Sequence, residues 1–207
     1  MANLGFVPLP VASVEVLAAA LGSNTCLASL LLDSAALGDE GVRALAAGLP
    51  GSCVRHLRLR NNGIGPLGAR ALAAALQLGT GIEELDLSSN ELGDEGVAAL
   101  VAGHAAVPCV NLAETDMGAA GAKALADALH QPGCRLVDLI LSNNALGHDG
   151  ARALAPALRP GSSLTRLTLI NCRIDEPGGF FLAAAASGNA RLQHLNLHLN
   201  SFGNLGY

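Results

Sequence analysis

VRHLRLRNNGIGPLGARALAAAL, residues 54–76, carries two periodicities in immediate succession. Leu57 and Leu59 alternate with His56, Arg58 and Arg60, the period of a strand that buries one face and presents the other. Asn62, Gly63 and Ile64 follow, and an asparagine amide inside a turn can both donate to and accept from buried backbone groups. Beyond Pro66, Leu72 and Leu76 stand four apart in an alanine-rich run, which predicts a helix with one apolar stripe turned toward the strand.

The pattern recurs along the chain, with first apolar positions at 27, 54, 82, 107, 136, 164 and 192 and intervals of 27, 28, 25, 29, 28 and 28 residues. Such a period marks a repeat array, which must be recognised before any single segment is interpreted. Asn62, Asn90, Asn144 and Asn200 occupy one position of the turn, predicting a buried ladder from which Ala35, Thr115 and Cys172 depart. Ala35 has no polar group to offer, so its own turn is expected to be looser. The helical signatures LGDEGVRALAAGL, IGPLGARALAAAL, LGDEGVAALVAG, MGAAGAKALADAL and LGHDGARALAPAL follow the turns, with IDEPGGFFLAAAA as the divergent sixth. A shortened third helix accounts for the 25-residue interval, and Pro156 predicts a kink. Aligning Leu9 with Leu37 makes residues 1–26 a truncated repeat, so residues 1–207 read as one solenoid.

Parallel strands stack about 4.8 Å apart while helices are roughly 10 Å wide, so the stack must curve with its strands inside. The expected fold class is α/β, a right-handed βα solenoid with parallel strands on the concave face and helices on the convex face. Composition agrees: 51% of residues are hydrophobic but only 2% aromatic, suiting thin regular layers of Leu, Ala, Val and Ile. A net charge of -5 and the lack of any basic run argue against a nucleic-acid partner. No apolar run is long enough for membrane insertion. The first residues hold no cation ahead of their apolar stretch and are interrupted by Pro8, Pro10 and Glu15, unlike a secretory signal. Five cysteines, an odd set without a C-x-x-C pair, point to a reducing, cytoplasmic setting. Neither end reads as a polar cap, which implies end-to-end self-association or contacts within a longer parent array.

The run L-x-x-L-x-L-x-x-N-x-L-G-x-x-G-A-x-A-L-A-x-A-L, as it stands in Val54 to Leu76, resembles the ribonuclease-inhibitor-like class of leucine-rich repeats. Similar repeats occur in ribonuclease inhibitor, the sensor region of NOD-like receptors, the GTPase-activating protein of Ran, tropomodulin and certain bacterial effectors; the G-A-x-A-L-A wording is most similar to NOD-like receptor repeats. The resemblance implies a horseshoe and a protein partner, commonly on the concave face, without fixing which one.

Apparent catalytic motifs dissolve into the framework. The G-x-x-G pairs at Gly38/Gly41, Gly65/Gly68, Gly93/Gly96, Gly118/Gly121 and Gly147/Gly150 recur at one place in each repeat, as tight turns and close packing require, and none is completed by the G-K-[ST] of a phosphate loop. His194 and His198 share a face but lie about 13 Å apart along a strand, too far for one metal ion. His56, His104, His130 and His148 are scattered, and Cys26 and Cys53, at equivalent positions, read as stacked buried thiols. No cofactor, metal or catalytic constellation is expected, and the chain reads as a scaffold and not an enzyme.

Function should then reside in the side chains that alternate with the buried leucines. The candidate partner-binding residues are His56, Arg58, Arg60, Glu84, Asp86, Asn111, Asp138, Arg166, His194, Asn196 and His198. Arg58 and Arg60, one strand from Glu84 and Asp86, are expected to form a cross-strand charge cluster. The expected function is a protein-protein interaction scaffold, as a fragment of a receptor-like or assembly protein. A GTPase-activating regulator resembling the Ran activator and a ribonuclease-inhibitor-like enzyme inhibitor are the alternatives.

Overall fold

The computed structural model describes residues 1–102 and 107–202. Among them, strands and helices alternate without exception: β1 (Ala2–Asn3), α1 (Val11–Ser23), β2 (Ser29–Leu31), α2 (Gly38–Ala46), β3 (His56–Arg58), α3 (Pro66–Gln77), β4 (Glu84–Asp86), α4 (Gly93–Val101), β5 (Cys109–Asn111), α5 (Ala119–Leu129), β6 (Asp138–Ile140), α6 (Gly147–Leu154), β7 (Arg166–Thr168), α7 (Glu176–Ala186) and β8 (His194–Asn196). The strands form one parallel sheet in chain order, the arrangement of a βα solenoid. Register follows the repeat, with Leu30, Leu57, Leu85, Val110, Leu139, Leu167 and Leu195 aligned across successive strands. Ala2 and Asn3 pair with Leu30 and Leu31, so the residues ahead of β2 add a strand to the same sheet.

Two rows of strand leucines and one helical row meet in a single continuous core, in which Leu45, Leu72, Leu125, Leu154 and Leu182 are all buried. Helices touch their neighbours closely because small residues sit between them; a Cβ on Gly48 would overlap the Ala18 carbonyl of the preceding helix. Pro156 has the expected effect: α6 stops at Leu154 and the chain tightens into a 3-10 turn over Ala155–Leu158. The shortened helix expected in the 25-residue repeat is present: α4 has 9 residues against 12 in α3 and 11 in α5 on either side of it.

The asparagine ladder exists and ties each turn to the one before it. Asn144 Oδ1 accepts N–H groups from Thr115 and Met117 at 3.1 Å each, while its Nδ2 donates to the Leu112 and Leu141 carbonyls at 2.7 and 2.9 Å. Asn62, Asn90 and Asn200 repeat the arrangement on their own preceding turns. The turn at Ala35 is therefore not loose. Asn62 Oδ1 accepts the Ala35 N–H at 2.9 Å, and Ala35 is fully buried. Where Cys172 replaces the amide, its thiol donates to the Leu141 carbonyl at 3.3 Å, and the Leu146 N–H turns back to the Asn144 carbonyl at 2.9 Å.

A second, coarser period runs through the turns. Gly38, Gly93 and Gly147 adopt left-handed φ of 56°, 58° and 59°, conformations that suit a residue without Cβ. Gly65 and Gly118, at the same position in the intervening repeats, are extended with φ of -98° and -113°. The extended copies leave helix N-terminal amides free, and an aspartate from the preceding repeat fills that need. Asp39 Oδ1 accepts from Gly65 and Gly68 at 2.7 and 2.8 Å, and Asp94 Oδ1 accepts from Gly118 and Gly121 at 2.7 Å each. At the third such junction the acid has moved: Asp175 caps its own helix through the Gly178 N–H at 2.8 Å, and His148 stands where Asp39 and Asp94 stood.

Candidate protein-binding face

Strand alternation delivers nine of the eleven predicted residues to one face of the sheet. His56, Glu84, Cys109, Asp138, Arg166 and His194 form one row across it, and Arg58, Asp86, Asn111, Ile140, Thr168 and Asn196 form the next. Arg60 and His198 lie one step beyond, at the entry to the turns. Glu84, Arg166, His194, Asn196 and His198 are exposed, while His56, Arg58, Asp86, Asn111 and Asp138 are half-buried by their neighbours.

The charges pair differently from the cluster expected of Arg58 and Arg60 with Glu84 and Asp86. Arg58 Nη2 donates to Asp33 Oδ2 at 2.5 Å, on the opposite neighbouring repeat. Asp86 is the register partner of Arg58, but its Oδ1 is already occupied by the Ser88 N–H and hydroxyl at 2.9 and 2.6 Å. Asp33, only 7% exposed, accepts the Arg60 N–H as well and is the better-placed anion. Glu84 pairs with His56 Nδ1 at 3.0 Å, and Arg166 donates to Asp138 from Nε and Nη2 at 2.8 and 2.7 Å. Hydrogen bonding to Asp138 raises the Arg166 pKa further, keeping that guanidinium charged. Arg60 forms no ion pair among the described residues. Asn111 and Asn196 fold onto their own backbones, accepting the Ala113 and His198 N–H groups at 3.1 and 3.0 Å. Burial, helped by the nearby Asp138 charge, pushes the Cys109 thiol upward, which favours its neutral form.

Two concavities follow from these rows. A shallow one of about 110 Å³ lies over the middle strands, lined by Glu84, Asp86, Cys109, Asn111, Asp138 and Ile140 among others. A larger groove of about 470 Å³ lies where the strands run into the turns, between Phe6, Asp33, Ser34, Arg58, Arg60, Asn61, Ser89 and Glu114. Its rim belongs to a polar line absent from the predicted set. Ser34, Asn61, Ser89, Glu114, Asn143 and Asn171 each stand seven residues into a repeat with positive φ, and Ser89 and Asn143 both donate to Glu114, at 2.8 and 2.9 Å. The signal for it was a polar residue at that one position of each successive repeat, up to Leu199 in the last.

Cys26 and Cys53 are exposed, against the expectation of buried ladder thiols; they precede the strands, where the sheet no longer covers them. Cys172 is the buried thiol, pushed up to about 11 by burial. His104 lies outside the described residues. Among those residues no group of three or more His, Cys, Asp or Glu side chains is arranged to hold a metal ion, and no helix is long and apolar enough to cross a membrane.

A repeat of strand, amide-bonded turn and helix, stacked into one parallel sheet with a varied outer face, is the architecture of a leucine-rich repeat βα solenoid, and the relatives it is similar to agree with that fold. The leucine-rich repeat family model matches residues 23–46, 52–73, 82–101 and 135–155. The chain is 38% identical to human NACHT, LRR and PYD domains-containing protein 5 over 124 residues, 58% of this chain and 10% of that protein. With human NACHT, LRR and PYD domains-containing protein 12 it shares 35% identity over 199 residues, 93% of this chain and 19% of that protein. Ribonuclease inhibitor of Sus scrofa is 29% identical across 99% of this chain, which spans 59% of the inhibitor's length.

Proposed function

We propose that this solenoid is a non-catalytic scaffold that binds a protein partner across its concave strands, in a reducing, cytoplasmic setting. The observation that carries the reading is the contrast between two sets of side chains on the same strands. Those pointing inward repeat as leucine, with Val110 on β5 the one aliphatic exception, whereas those pointing outward pass from His and Arg through Glu, Asp and Asn to His again. Packing demands the first set and has no use for the variety of the second. The exposed Glu84, Arg166 and His194 lie on three strands of that face.

The test compares partner capture by the wild-type chain, a concave triple variant (Glu84→Ala, Arg166→Ala, His194→Ala) and a convex triple variant (Arg43→Ala, Arg70→Ala, Lys123→Ala). Loss confined to the concave variant is expected; loss confined to the convex one sinks the reading. The similarity to a ribonuclease inhibitor across nearly the whole chain favours a narrower second reading, inhibition of a ribonuclease through the same face. A nuclease assay with added chain decides it, and undiminished cleavage removes it.

A further inference from the structure

We infer that the groove at the first turns receives an acidic peptide segment of the partner, with a carboxylate on Arg60 and an adjoining apolar side chain on Phe6. The inference rests on the scaffold reading above and narrows it to one site and one chemistry.

Partner accounting singles out Arg60. Of the two acids that line the groove, Asp33 is taken up by the Arg58 guanidinium and the Arg60 backbone N–H, and Glu114 by Ser89 and Asn143, one on each oxygen. Asn61 donates to the Ser34 hydroxyl at 2.9 Å. The Arg60 side chain is exposed and, among the described residues, makes no ion pair and no side-chain hydrogen bond. A guanidinium with a planar fork of donors and no internal acceptor matches a carboxylate in two parallel hydrogen bonds.

Phe6 supplies the apolar half. It is 78% exposed and holds φ of 66°, a conformation that a bulky residue adopts only when its surroundings enforce it. The enforcing contact is the Phe6 N–H donating to the Asp33 carbonyl at 2.7 Å. One residue therefore fixes both recognition groups: Asp33 pins Phe6 through its carbonyl and the Arg60 backbone through its carboxylate. The backbones that carry both anchors are thus held in place before a ligand arrives, which leaves the two side chains to be ordered by it. A volume of about 470 Å³ falls within the range of roughly 300–1,000 Å³ of ligand sites, enough for a short segment and too small for a folded surface.

The experiment titrates the full chain into a short fluorescein-labelled peptide alternating glutamate and leucine, followed by fluorescence polarisation, with the glutamine counterpart and inorganic phosphate as comparisons. The glutamate peptide is expected to bind at least about tenfold more tightly than the glutamine one, and Arg60→Gln to lose about tenfold or more. Phe6→Ser should weaken the same peptide, and Arg60→Lys should recover part of what Arg60→Gln loses. Because Arg60 has no internal partner, thermal unfolding of Arg60→Gln should match the wild type, separating lost binding from lost folding. Equal binding of both peptides, wild-type affinity in Arg60→Gln, or displacement by phosphate as effective as by unlabelled peptide overturns the assignment. Partner capture abolished by the concave triple variant but untouched by Arg60→Gln defeats the groove alone; capture that both variants leave intact defeats the concave reading itself.

Discussion

Asn144→Ala is the sharpest test of what holds the repeats together. Asn144 is 2% exposed, and its amide serves four backbone groups: the N–H of Thr115 and Met117, and the carbonyls of Leu112 and Leu141. A buried backbone group left without a partner costs about 1–3 kcal/mol, and water entering the space left by the amide would satisfy part of the four, so a loss of about 3–5 kcal/mol is expected. That is large against a typical total of about 5–15 kcal/mol. The assay is urea unfolding followed by circular dichroism, with amide hydrogen exchange read at Thr115 and Met117, where protection should collapse first. Asn144→Thr should recover part of the loss, because Thr115 already uses its hydroxyl in this way, donating to the Leu112 carbonyl at 2.9 Å. A loss below about 1 kcal/mol, or equal losses for the two variants, would refute the account of the ladder as a tie between turns.

Asp94→Ala removes the acceptor for both the Gly118 and Gly121 N–H groups and should lower stability by about 1–2 kcal/mol in thermal melts, whereas Asp149→Ala, on an exposed residue, should cost less than about 0.5 kcal/mol. Thiol labelling at neutral pH should modify Cys26 and Cys53 readily and spare Cys172, whose thiol burial pushes up to about 11, until the chain is unfolded. The Gly178 N–H, and then His148, hold the Asp175 carboxyl below its ordinary value, so the stability it contributes is present above the usual carboxylate range and fades as pH falls through the lowered folded value. Asp175→Asn should flatten the acid limb of denaturation midpoint against pH; an unaltered limb would remove Asp175 from the account.

The fold was legible because leucine spacing and helical signatures were redundant: losing Ala35 or Thr115 from the ladder did not obscure the register. Burial direction followed from alternation alone, which is why the nine candidate residues within the strands share one face. Pairing was harder to read. Arg58 pairs with Asp33 and not with Asp86, whose Oδ1 holds the Ser88 N–H and hydroxyl, and such a competition is decided by geometry two residues away. The exposure of Cys26 and Cys53 depended on where each helix ends, the least constrained feature of an alanine-rich repeat. The aspartate caps escaped notice although their signal was printed twice, in the identical GDEG of residues 38–41 and 93–96 against GPLG and GAAG between them.

That alternation changes what counts as one module. Asp39 reaches forward to amides that only an extended glycine leaves available, whereas Gly93, in its left-handed form, already donates to the Thr115 carbonyl at 2.9 Å. Excising residues 54–81 would bring Asp39 against a turn that has no vacancy for it and would strand the carboxylate. Removing residues 54–106 instead would set Asp39 opposite Gly118, a recipient of the kind it already serves. The interchangeable unit for shortening, lengthening or grafting this solenoid is therefore the pair of repeats.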